Sequence, residues 1–530
     1  MSSDVTETAL IGLGRAGCRA LVELMPRRMV IAPTRADHDV VGPADVIDHP
    51  LLDRRALGRP RAEAVHAWAQ ARWPGLVELV PGPLDAGWPY RALTGREVMA
   101  FALDAVDTVA WAEVTRAALE VGVPLIAALG LGPRSRLGPR VVPGCGPCLV
   151  CADLRLSVHA PIWSGQSRPE RPIASVCDRL GVALAAAVEG RGLPDDSLVV
   201  FDADGTSATH PVLRTSRCSL CRPLGPFPAF RYAKKLEFAD RPSDPEHIHR
   251  VTPRLVSPLT GPIRSLDRVP PTAHDPRIEQ WHAIAADTAW QAYGIGALTG
   301  AGIALDAASA RASAVGEAVE RLSVLPPSER DLIFAAWRDL PPDEAIDPRR
   351  FDCFASSTRA IAGFPYPAPS PDRTVAWVWG WSLTAERPVL VPASRAFAEY
   401  RPVVPDEVND VSMVSGFAVA ETLERATLHG LLEVLERDHF MIAWANQLPF
   451  RRLRIDRESP HQVGALVDAF AVAGLDVRCA TLRLDLGVEL AVGLCRSRHA
   501  GDPAVVISAA ADVDGVTAAR RGGAPLNQNK

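Results

Sequence analysis

The N-terminal part of the chain alternates short apolar runs with longer stretches of helical period, and this pattern restricts the fold more than any other feature. The runs "TALIG", "RRMVIAP", "EVMAFAL" and "VPLIAAL" have the length and composition of strands. Between them, "RPRAEAVHAWAQAR" and "TVAWAEVTRAALEVG" have the length and apolar period of helices. Strands separated by helices are typical of a parallel sheet with helices packed on it. The sequence therefore predicts an α/β, doubly wound N-terminal domain.

Three glycines, Gly12, Gly14 and Gly17, follow the first strand in a Gly-x-Gly-x-x-Gly pattern. This spacing allows a tight turn and lets backbone N–H groups approach a phosphate at a helix N-terminus, as in Rossmann-like units. Units of this kind that bind a nucleotide carry an acidic residue about 20 positions further on. Here the second strand ends in Ala32 and Pro33 instead. We therefore expect a Rossmann-like fold that has lost the nucleotide.

Five of the ten cysteines lie in two short segments, "PGCGPCLVC" and "TSRCSLC". Two C-x-x-C pairs have the spacing with which two turns present four thiolates to one tetrahedral Zn²⁺. The quartet with matching turns is Cys148, Cys151, Cys218 and Cys221, and Cys145 is left outside it. A site closed by four thiolates has no open position for water, so its role would be structural. Reduced cysteines packed in the core, or a redox-active pair, remain as alternatives.

Two helical stretches further along, "RASAVGEAVERLSV" and "ETLERATLHGLLEVLERDHFMIAW", each include a pair of glutamates three residues apart, Glu317 and Glu320 in the first and Glu433 and Glu436 in the second. The polar residues that share these helix faces are Ser313, Glu317, Glu320, Glu433, Glu436 and Arg437. The simple interpretation is that amphipathic helices have a solvated side. The alternative is a cluster of convergent carboxylates neutralised by Mg²⁺, which usually accompanies nucleotide phosphates. No Gly-x-x-x-x-Gly-Lys loop occurs in the chain, so an ATP site would be of another kind.

Composition and charge exclude several classes of partner. A net charge of -5 at pH 7 gives no basic surface of the sort that binds nucleic acid. No apolar run approaches the roughly 20 residues needed to span a bilayer, and the N-terminus lacks the basic region and cleavage site of a secretory signal. We therefore expect a cytoplasmic protein with no nucleic-acid or membrane partner, whose cysteines are reduced.

A stretch rich in Pro, Ser and Asp divides the chain into two domains. We expect an N-terminal domain of residues 1–228, a linker of residues 229–249 and a second, α+β domain of residues 250–515. In the second domain, "HQVGALVDAFAVAG" predicts a helix, and "VRCATLRL", "ELAVGLC" and "AVVISAAA" predict strands of a separate sheet. Residues 516–530 show no apolar period and are expected to be a disordered tail.

The motifs in both domains resemble those of known families. "ASARASAVGEAVERLS" and "AETLERATLHGLLEVLERDHF" resemble the two signature helices of YcaO-type proteins, which bind ATP and Mg²⁺ without a Walker loop. "ALIGLGRAG", "LGRPRAEA", "LDAVDT" and "VVPGCGPCLVC" resemble the ThiF-like activating-enzyme fold with its four-cysteine zinc site. The combination is similar to the cyclodehydratases that make thiazole/oxazole-modified peptides (TOMMs), and it covers nearly the whole chain.

The resemblance implies an activity, its cofactors and its partners. The activity is ATP-dependent cyclodehydration of Cys, Ser or Thr residues in a ribosomally made precursor peptide to thiazolines or oxazolines, through phosphorylation of the amide-derived oxygen. A structural Zn²⁺ would be held by the cysteine quartet. Besides the precursor peptide, the implied partners are a separate leader-binding protein, a flavin-dependent oxidase and a second copy in a homodimer. The implied ligands of Mg²⁺-ATP are Ser313, Glu317, Glu320, Glu433, Glu436 and Arg437.

Several positions depart from the family pattern. Ala301 stands where the family usually has a lysine, and Ser415 where it usually has an asparagine. The chain also ends where the family continues through further helices and a late basic residue, so we expect a C-terminally truncated second domain. A second interpretation is therefore a non-catalytic or truncated scaffold that binds precursor peptide or supports partner enzymes. A third, another YcaO reaction such as thioamide or amidine formation, is disfavoured by the fused zinc domain.

Overall fold

The chain divides into two compact units. Unit 1 comprises Met1–Pro223 and Pro253–Arg264, and unit 2 comprises Leu224–Thr252 and Ser265–Lys530. Most of the predicted linker, residues 229–249, lies outside the described residues. The computed structural model describes residues 7–34, 40–80, 87–104, 107–131, 134–159, 173–215, 218–221, 244, 246–271, 275–286, 298–324, 332–398, 400–402, 404, 407, 414–455, 463–499 and 504–523.

Unit 1 is built on an eight-stranded sheet. Its strands are β1 Thr8–Ile11, β2 Met29–Ala32, β3 Val77–Leu79, β4 Val98–Leu103, β5 Leu125–Leu131, β6 Arg134–Val141, β7 Ser197–Asp202 and β8 Ser207–Pro211. They lie in the order β3-β2-β1-β4-β5-β6-β7-β8. The first five strands in this order run parallel, and the last three are joined to them and to each other antiparallel.

The predicted doubly wound α/β domain is confirmed in the parallel part of this sheet, where β1, β2, β4 and β5 fall on the predicted runs and β3 was not predicted. The antiparallel extension was not predicted. Only residues 132–133 separate β5 from β6, and a connection of that length permits a hairpin but not the crossover that a parallel neighbour needs. The chain therefore reverses at β6 and adds three strands to one edge of the sheet.

Helices cover both faces of the sheet in unit 1. They are α1 Arg15–Leu24, α2 Pro43–Asp48, α3 Arg61–Arg72, α4 Trp88–Leu93, α5 Thr108–Val121, α6 Leu149–His159 and α7 Ala174–Val188. Successive residues of a strand point to opposite faces of the sheet and pack in different apolar clusters. In β1, Leu10 packs in the cluster that contains α1, α3 and α7, while Ala9 and Ile11 pack with α4, α5 and α6. Burial on both faces explains why the strands are continuous apolar runs.

A short segment that follows residues of unit 2 in the sequence belongs to unit 1. Within it, the Thr260 hydroxyl donates a hydrogen bond of 2.7 Å to the carbonyl oxygen of Pro211 at the end of β8. The guanidinium of Arg254 lies 2.9 Å from the carboxylate of Asp196, next to β7. Residues 253–264 are therefore fastened to the antiparallel edge of the unit 1 sheet.

The described part of unit 2 contains three small sheets, whereas the sequence predicted one separate sheet. Their orders are β11-β10-β9, β12-β13-β14 and β15-β16-β17-β18, and the last of these contains the three strands predicted near the C-terminus. The strands are β9 Ile263–Arg268, β10 Glu279–Ala285, β11 Leu298–Ala304, β12 Ile333–Ala336, β13 Thr374–Ser382, β14 Arg387–Pro392, β15 Arg451–Leu453, β16 Leu475–Arg483, β17 Glu489–Ser497 and β18 Val505–Asp512.

The remaining helices vary widely in length. They are α8 His247–Leu255, α9 Ala307–Ser323, α10 Ser356–Arg359, α11 Ala393–Ala396, α12 Leu423–Asn446, α13 Val463–Val472 and α14 Gly515–Gly523. Both glutamate helices and the helix before β16 form where they were predicted. The expectation of a disordered tail from residue 516 is wrong for residues 516–523, which lie in α14. Residues 524–530 lie outside the described part. None of the described helices is both long and apolar enough to cross a membrane.

Candidate functional site

The four predicted cysteine ligands lie together in unit 1. Cys148 and Cys151 lie at the start of α6, and Cys218 and Cys221 follow β8. The Sγ–Sγ distance is 3.4 Å between Cys148 and Cys218, and 3.3 Å between Cys151 and Cys221. All four sulfur atoms lie within 4.8 Å of one another. In the part of the chain that the structure describes, this is the one group of three or more such ligand atoms within that distance.

This cluster has the geometry and chemistry of a thiolate metal site. Zn–S bonds of about 2.3 Å in a tetrahedron place the sulfur atoms about 3.8 Å apart, close to the separations found here. Hydrogen bonds from Cys148, Cys151 and Cys221 hold the pKa of the Cys218 thiol below its ordinary value. The backbone N–H of Cys221 also donates to the sulfur of Cys218 at 3.5 Å. A four-cysteine cluster that could hold a metal ion is therefore present, and exposed Cys145 lies outside it.

The first pair of glutamates lies on α9, which packs closely on β11. Asp306 begins the helix by accepting a hydrogen bond of 2.8 Å from the backbone N–H of Ser309. A Cβ atom at Gly302 of β11 would lie 1.9 Å from the carbonyl oxygen of Ala310 in α9. Only glycine fits at that position, so the glycines of "LTGAGIAL" allow the backbones of strand and helix to approach each other.

This close packing fixes the side chain of Glu317. The backbone N–H of Ala301 in β11 donates a hydrogen bond of 2.9 Å to Glu317 Oε2. The guanidinium of Arg321, four residues further along α9, donates to Oε1 at 2.9 Å. Ala301, where the family resemblance would place a lysine, therefore contributes through its backbone, and both oxygens of Glu317 are held.

The second pair, on α12, has the same local arrangement. A Cβ atom at Gly430 would lie 2.5 Å from the carbonyl oxygen of Gly416, so the loop before α12 lies directly on the helix at this point. The backbone N–H of Gly416 donates a hydrogen bond of 3.0 Å to Glu433 Oε2. Arg437, four residues after Glu433, lies 3.5 Å from its Oε1 atom.

The two helices thus repeat the spacing Glu-x-x-Glu-Arg, in "EAVER" and "EVLER". In each, the first glutamate accepts a backbone N–H from a preceding segment that contains glycine, and pairs with the arginine four residues later. Arg321 is not among the residues predicted from the sequence, although the repeated spacing is a signal for it. The structure gives Arg321 and Arg437 equivalent positions beside the first glutamate of each pair.

Glu320 of α9 and Glu433 of α12 lie near enough to each other for the negative charge of one to affect the other. Burial, reinforced by the negative charges of Glu433 and Glu317, raises the pKa of Glu320 from its ordinary 4.5 to about 7. Carboxylates perturb each other in this way only at short range, where solvent screens them poorly. The carboxylates of α9 and α12 therefore converge on one region of unit 2.

Glu436 lies deeper in the same region. Its side chain is 16% exposed, and burial raises its pKa above the ordinary value. Arg521 of α14 lies 3.4 Å from the carboxylate of Asp512, and it is near enough for its positive charge to lower the pKa of Glu436 and that of His429, which is held low chiefly by burial. Arg521 was missed from the sequence because it lies in the stretch that was expected to be disordered.

Two further predicted positions have no contact that fixes a role. Ser313 lies on α9 one turn before Glu317 and is exposed, and its hydroxyl forms no hydrogen bond within the described part of the chain. Ser415 is half-buried beside Gly416. Ser313 stays a predicted ligand, and Ser415 stays a predicted departure from the family pattern.

The donor set of the two helices fits Mg²⁺. The four glutamates supply hard oxygen ligands, and the raised pKa of Glu320 shows a negative cluster that a divalent cation would neutralise. Over the described ranges, the glutamates form no group of three ligand atoms within 4.8 Å. The arrangement is therefore an open one, as Mg²⁺ prefers when it keeps waters and phosphate oxygens as further ligands.

Glu320 makes stability depend on pH in the metal-free protein. A pKa raised by folding stabilises the folded state fully below the unfolded value of 4.5, and this contribution is lost as the pH rises through about 7. Glutamine is a neutral substitute for the protonated acid. We therefore expect Glu320→Gln to match wild type in thermal unfolding at or below pH 4.5 and to be more stable than wild type above about pH 7. Saturating Mg²⁺ should shrink the difference. Equal stability at every pH would contradict the burial of this charge.

In unit 1, the carboxylate of Asp104 binds the backbone N–H groups at the glycine-rich loop. The backbone N–H of Arg15 donates a hydrogen bond of 2.5 Å to one carboxylate oxygen of Asp104, and that of Ala16 donates to the other at 3.3 Å. A Cβ atom at Gly14 would lie 2.3 Å from the same carboxylate. Asp104 therefore takes the position at the N-terminus of α1 where a phosphate lies in nucleotide-binding units, which supports the expectation that this unit has lost the nucleotide.

The second part of the chain matches a known protein family. Residues 301–528 match the family model described as YcaO cyclodehydratase, ATP- and Mg²⁺-binding. A curated relative, an uncharacterized protein of Methanothermobacter thermautotrophicus, is 28% identical over 200 residues, which are 37% of this chain and 48% of that protein. The matched region thus spans about half the length of that relative.

Two solved structures share the fold over almost the whole chain. One is a heterocyclase in complex with substrate and cofactor, with a TM-score of 0.65 and 18% identity over 99% of this chain and 68% of the other. The other is the heterocyclase TruD, with a TM-score of 0.59 and 17% identity over 99% of this chain and 67% of the other. At these identities the likeness establishes the fold.

Proposed function

Because residues 301–528 carry a YcaO domain, we propose that the protein catalyses ATP-dependent cyclodehydration of Cys, Ser or Thr residues in a ribosomally synthesised precursor peptide. The products would be thiazolines and oxazolines. The observation that carries this proposal is the convergence of Glu320 of α9 and Glu433 of α12, which concentrates negative charge where Mg²⁺-ATP would bind. Two solvated helix faces would not raise the pKa of Glu320 to about 7.

The residues on these helices would each contact a different part of Mg²⁺-ATP. The four glutamates would provide carboxylate oxygens to Mg²⁺, with Glu317 and Glu433 pre-oriented by the backbone N–H groups of Ala301 and Gly416. Arg437 would contact phosphate oxygens, and Ser313 would provide a hydroxyl at the same face of α9. When bound, ATP supplies the phosphoryl group with which the amide-derived oxygen leaves, so that the peptide loses one water.

Arg321 and Arg521 extend this proposed site. Arg321 lies 2.9 Å from Glu317, and the positive charge of Arg521 lowers the pKa of Glu436. Both positive charges are present although position 301 is the uncharged Ala301. Guanidinium groups bind phosphate through paired N–H donors. We propose that these two arginines compensate for the uncharged residue at position 301.

The cysteine quartet would hold a structural Zn²⁺. Its four sulfur atoms lie within 4.8 Å, and three of the four thiols are buried, so a bound ion would have no position open to substrate. The ion would tie the start of α6 to the segment after β8 in unit 1. The separate leader-binding protein, the flavin-dependent oxidase and the homodimer remain predictions from the family resemblance.

The proposal is tested by two measurements on the purified chain. Calorimetric titration with ATP should show binding that requires Mg²⁺. Incubation with Mg²⁺-ATP and a synthetic peptide containing Gly-Cys should release phosphate and lower the peptide mass by one water, while the matched Gly-Ala peptide stays unchanged. Failure of Mg²⁺-dependent ATP binding would exclude the enzyme and favour the scaffold interpretation.

A further inference from the structure

An open cleft of about 420 Å³ lies on the four-stranded sheet of unit 2, and no glutamate of the proposed ATP site lines it. Its floor is formed by β15, β16 and β17, and one wall is formed by the N-terminal turn of α14. The lining residues that carry charge are Arg451, Arg454, Arg483, Glu489 and Asp514. Arg451, Arg483 and Glu489 lie on strands of the sheet, and Arg454 and Asp514 lie just beyond strand ends.

The strand register places these charges on one face. Arg451 of β15 lies opposite Thr481 of β16, and Arg483 lies opposite Glu489 of β17. Residues two apart on a strand share a face, so Thr481 and Arg483 point to the same side of the sheet. Thr481 is 4% exposed and lies under the cleft. Arg451 and Arg483 therefore lie on the same face of the sheet as Thr481.

The positive charges of the cleft outweigh its negative ones. Arg483 lies 3.8 Å from the carboxylate of Glu489. Asp514 is engaged in capping α14, where it accepts a hydrogen bond of 2.8 Å from the backbone N–H of Thr517. Neither Arg451 nor Arg454 forms an ion pair or hydrogen bond through its side chain within the described residues. Two guanidinium groups are therefore available to an acidic ligand.

The apolar part of the lining is aliphatic. It consists of Leu453, Ile455, Val463, Val513, Val516 and Ala519, and none of the described residues that line the cleft is aromatic. Nucleobases are normally held by stacking on aromatic side chains, so this lining does not suit a nucleotide. Aliphatic walls beside arginines suit leucine, isoleucine or valine side chains alternating with carboxylates.

The edge of the sheet offers a way to hold such a ligand. β15 is the outermost strand in the order β15-β16-β17-β18, and no described strand pairs with its other side. An extended peptide can add to a strand edge through backbone hydrogen bonds while its alternate side chains enter neighbouring pockets. Arg451 and Leu453 of β15 line the cleft and would face such side chains.

We infer that this cleft binds an acidic, aliphatic segment of the peptide substrate, extended along β15 with its carboxylates on Arg451 and Arg454. The inference rests on the proposed function, because it assigns the ligand to the same peptide that would be modified. It adds a second contact for that peptide within unit 2, separate from the residues that would hold Mg²⁺-ATP.

The test uses the full chain and two rhodamine-labelled peptides, one alternating leucine with glutamate and the other alternating leucine with glutamine. Fluorescence anisotropy should detect binding of the glutamate peptide, weakened by added salt, and little binding of the glutamine peptide. The double variant Arg451→Gln, Arg454→Gln should weaken binding about tenfold or more, because two charge-assisted contacts are lost. The matched control is Arg478→Gln, which changes an arginine on the opposite face of β16 and should have no effect.

A charge-reversal variant distinguishes a loss of peptide binding from a partial loss of folding, because it should gain a new peptide preference that a poorly folded protein would not show. Arg454→Glu should reject the glutamate peptide and favour a peptide alternating leucine with lysine. Equal binding of the glutamate and glutamine peptides, no binding of either, or no effect of the double variant would overturn the inference. The same double variant should bind Mg²⁺-ATP as wild type does in calorimetry, so failure of peptide binding is distinguishable from failure of the proposed ATP site.

Discussion

Replacing Glu433 by glutamine is expected to weaken Mg²⁺-dependent ATP binding by about 100-fold or more, because a carboxylate that we propose as a ligand of Mg²⁺ would be lost. The glutamine oxygen can still accept the hydrogen bond from the backbone N–H of Gly416, so the local packing is preserved. Removing this charge should also lower the pKa of Glu320, since Glu433 is the strongest of the charges that raise it. Calorimetry measures the first effect and the pH dependence of thermal unfolding measures the second.

The matched control for this variant is Asp438→Asn, which removes a carboxylate from the exposed side of the same helix. It should leave both ATP binding and the behaviour of Glu320 unchanged. If Glu433→Gln bound Mg²⁺-ATP as tightly as wild type, the carboxylates of α9 and α12 would not be its ligands. If only the pKa of Glu320 changed, the two helices would converge without forming a nucleotide site.

Replacing Cys218 by serine is expected to empty the metal site and to destabilise unit 1 by at least about 3 kcal/mol, because metal binding to a structural thiolate site contributes to the free energy of folding. Elemental analysis should find one zinc per wild-type chain and none in the variant. A strong chelator should lower the midpoint of thermal unfolding of wild type toward that of the variant, and should leave the variant unaffected.

Cys145→Ser is the control for the cysteine quartet. Cys145 is exposed and lies outside the cluster, so its replacement should change neither the zinc content nor the stability. A wild-type protein that is well folded without metal would show that the four thiols are packed cysteines. In that case Cys218→Ser would cost only the burial of a hydroxyl in place of a thiol.

The fold of unit 1 was predictable where burial alone decides the structure. β1, β2, β4 and β5 are covered on both faces, so each appears in the sequence as an uninterrupted apolar run. β6 mixes arginines with apolar residues, as in "RSRLGPRV", because Arg136 is buried and lies 2.5 Å from the carboxylate of Asp153. A strand that buries a charged residue among its apolar ones has no regular apolar period from which it could be identified.

The last described helix shows a different limit. "GVTAARRGG" combines glycine and threonine with no apolar period, and its helix propensity is low. It is helical because Ala518 and Ala519 pack against Ala491 of β17 and Leu453 of β15. Contacts between residues so distant in the sequence cannot be recognised from the helix alone, and Arg521 was missed for the same reason.

The sequence predicted the side chains of the carboxylate site but not the backbone groups that hold them. The spacing of Glu317, Glu320, Glu433 and Glu436 showed which side chains share a helix face, since helical period fixes that. It did not show the backbone donors at Ala301 and Gly416, because a backbone N–H leaves no trace in residue type. The sequence does show Gly416, which is itself one of these donors, and the glycines on either side of Ala301.

The return of residues 253–264 to unit 1 limits how the two units can be exchanged between related chains. Recombination that joined a foreign second unit before His247 would discard the segment whose Thr260 bonds Pro211 and whose Arg254 pairs with Asp196. The donor would then have to supply matching partners for a sheet with which it had not evolved. A crossover after Arg264 therefore keeps unit 1 whole but separates Leu224–Thr252 from the rest of unit 2, so no single crossover exchanges both units intact.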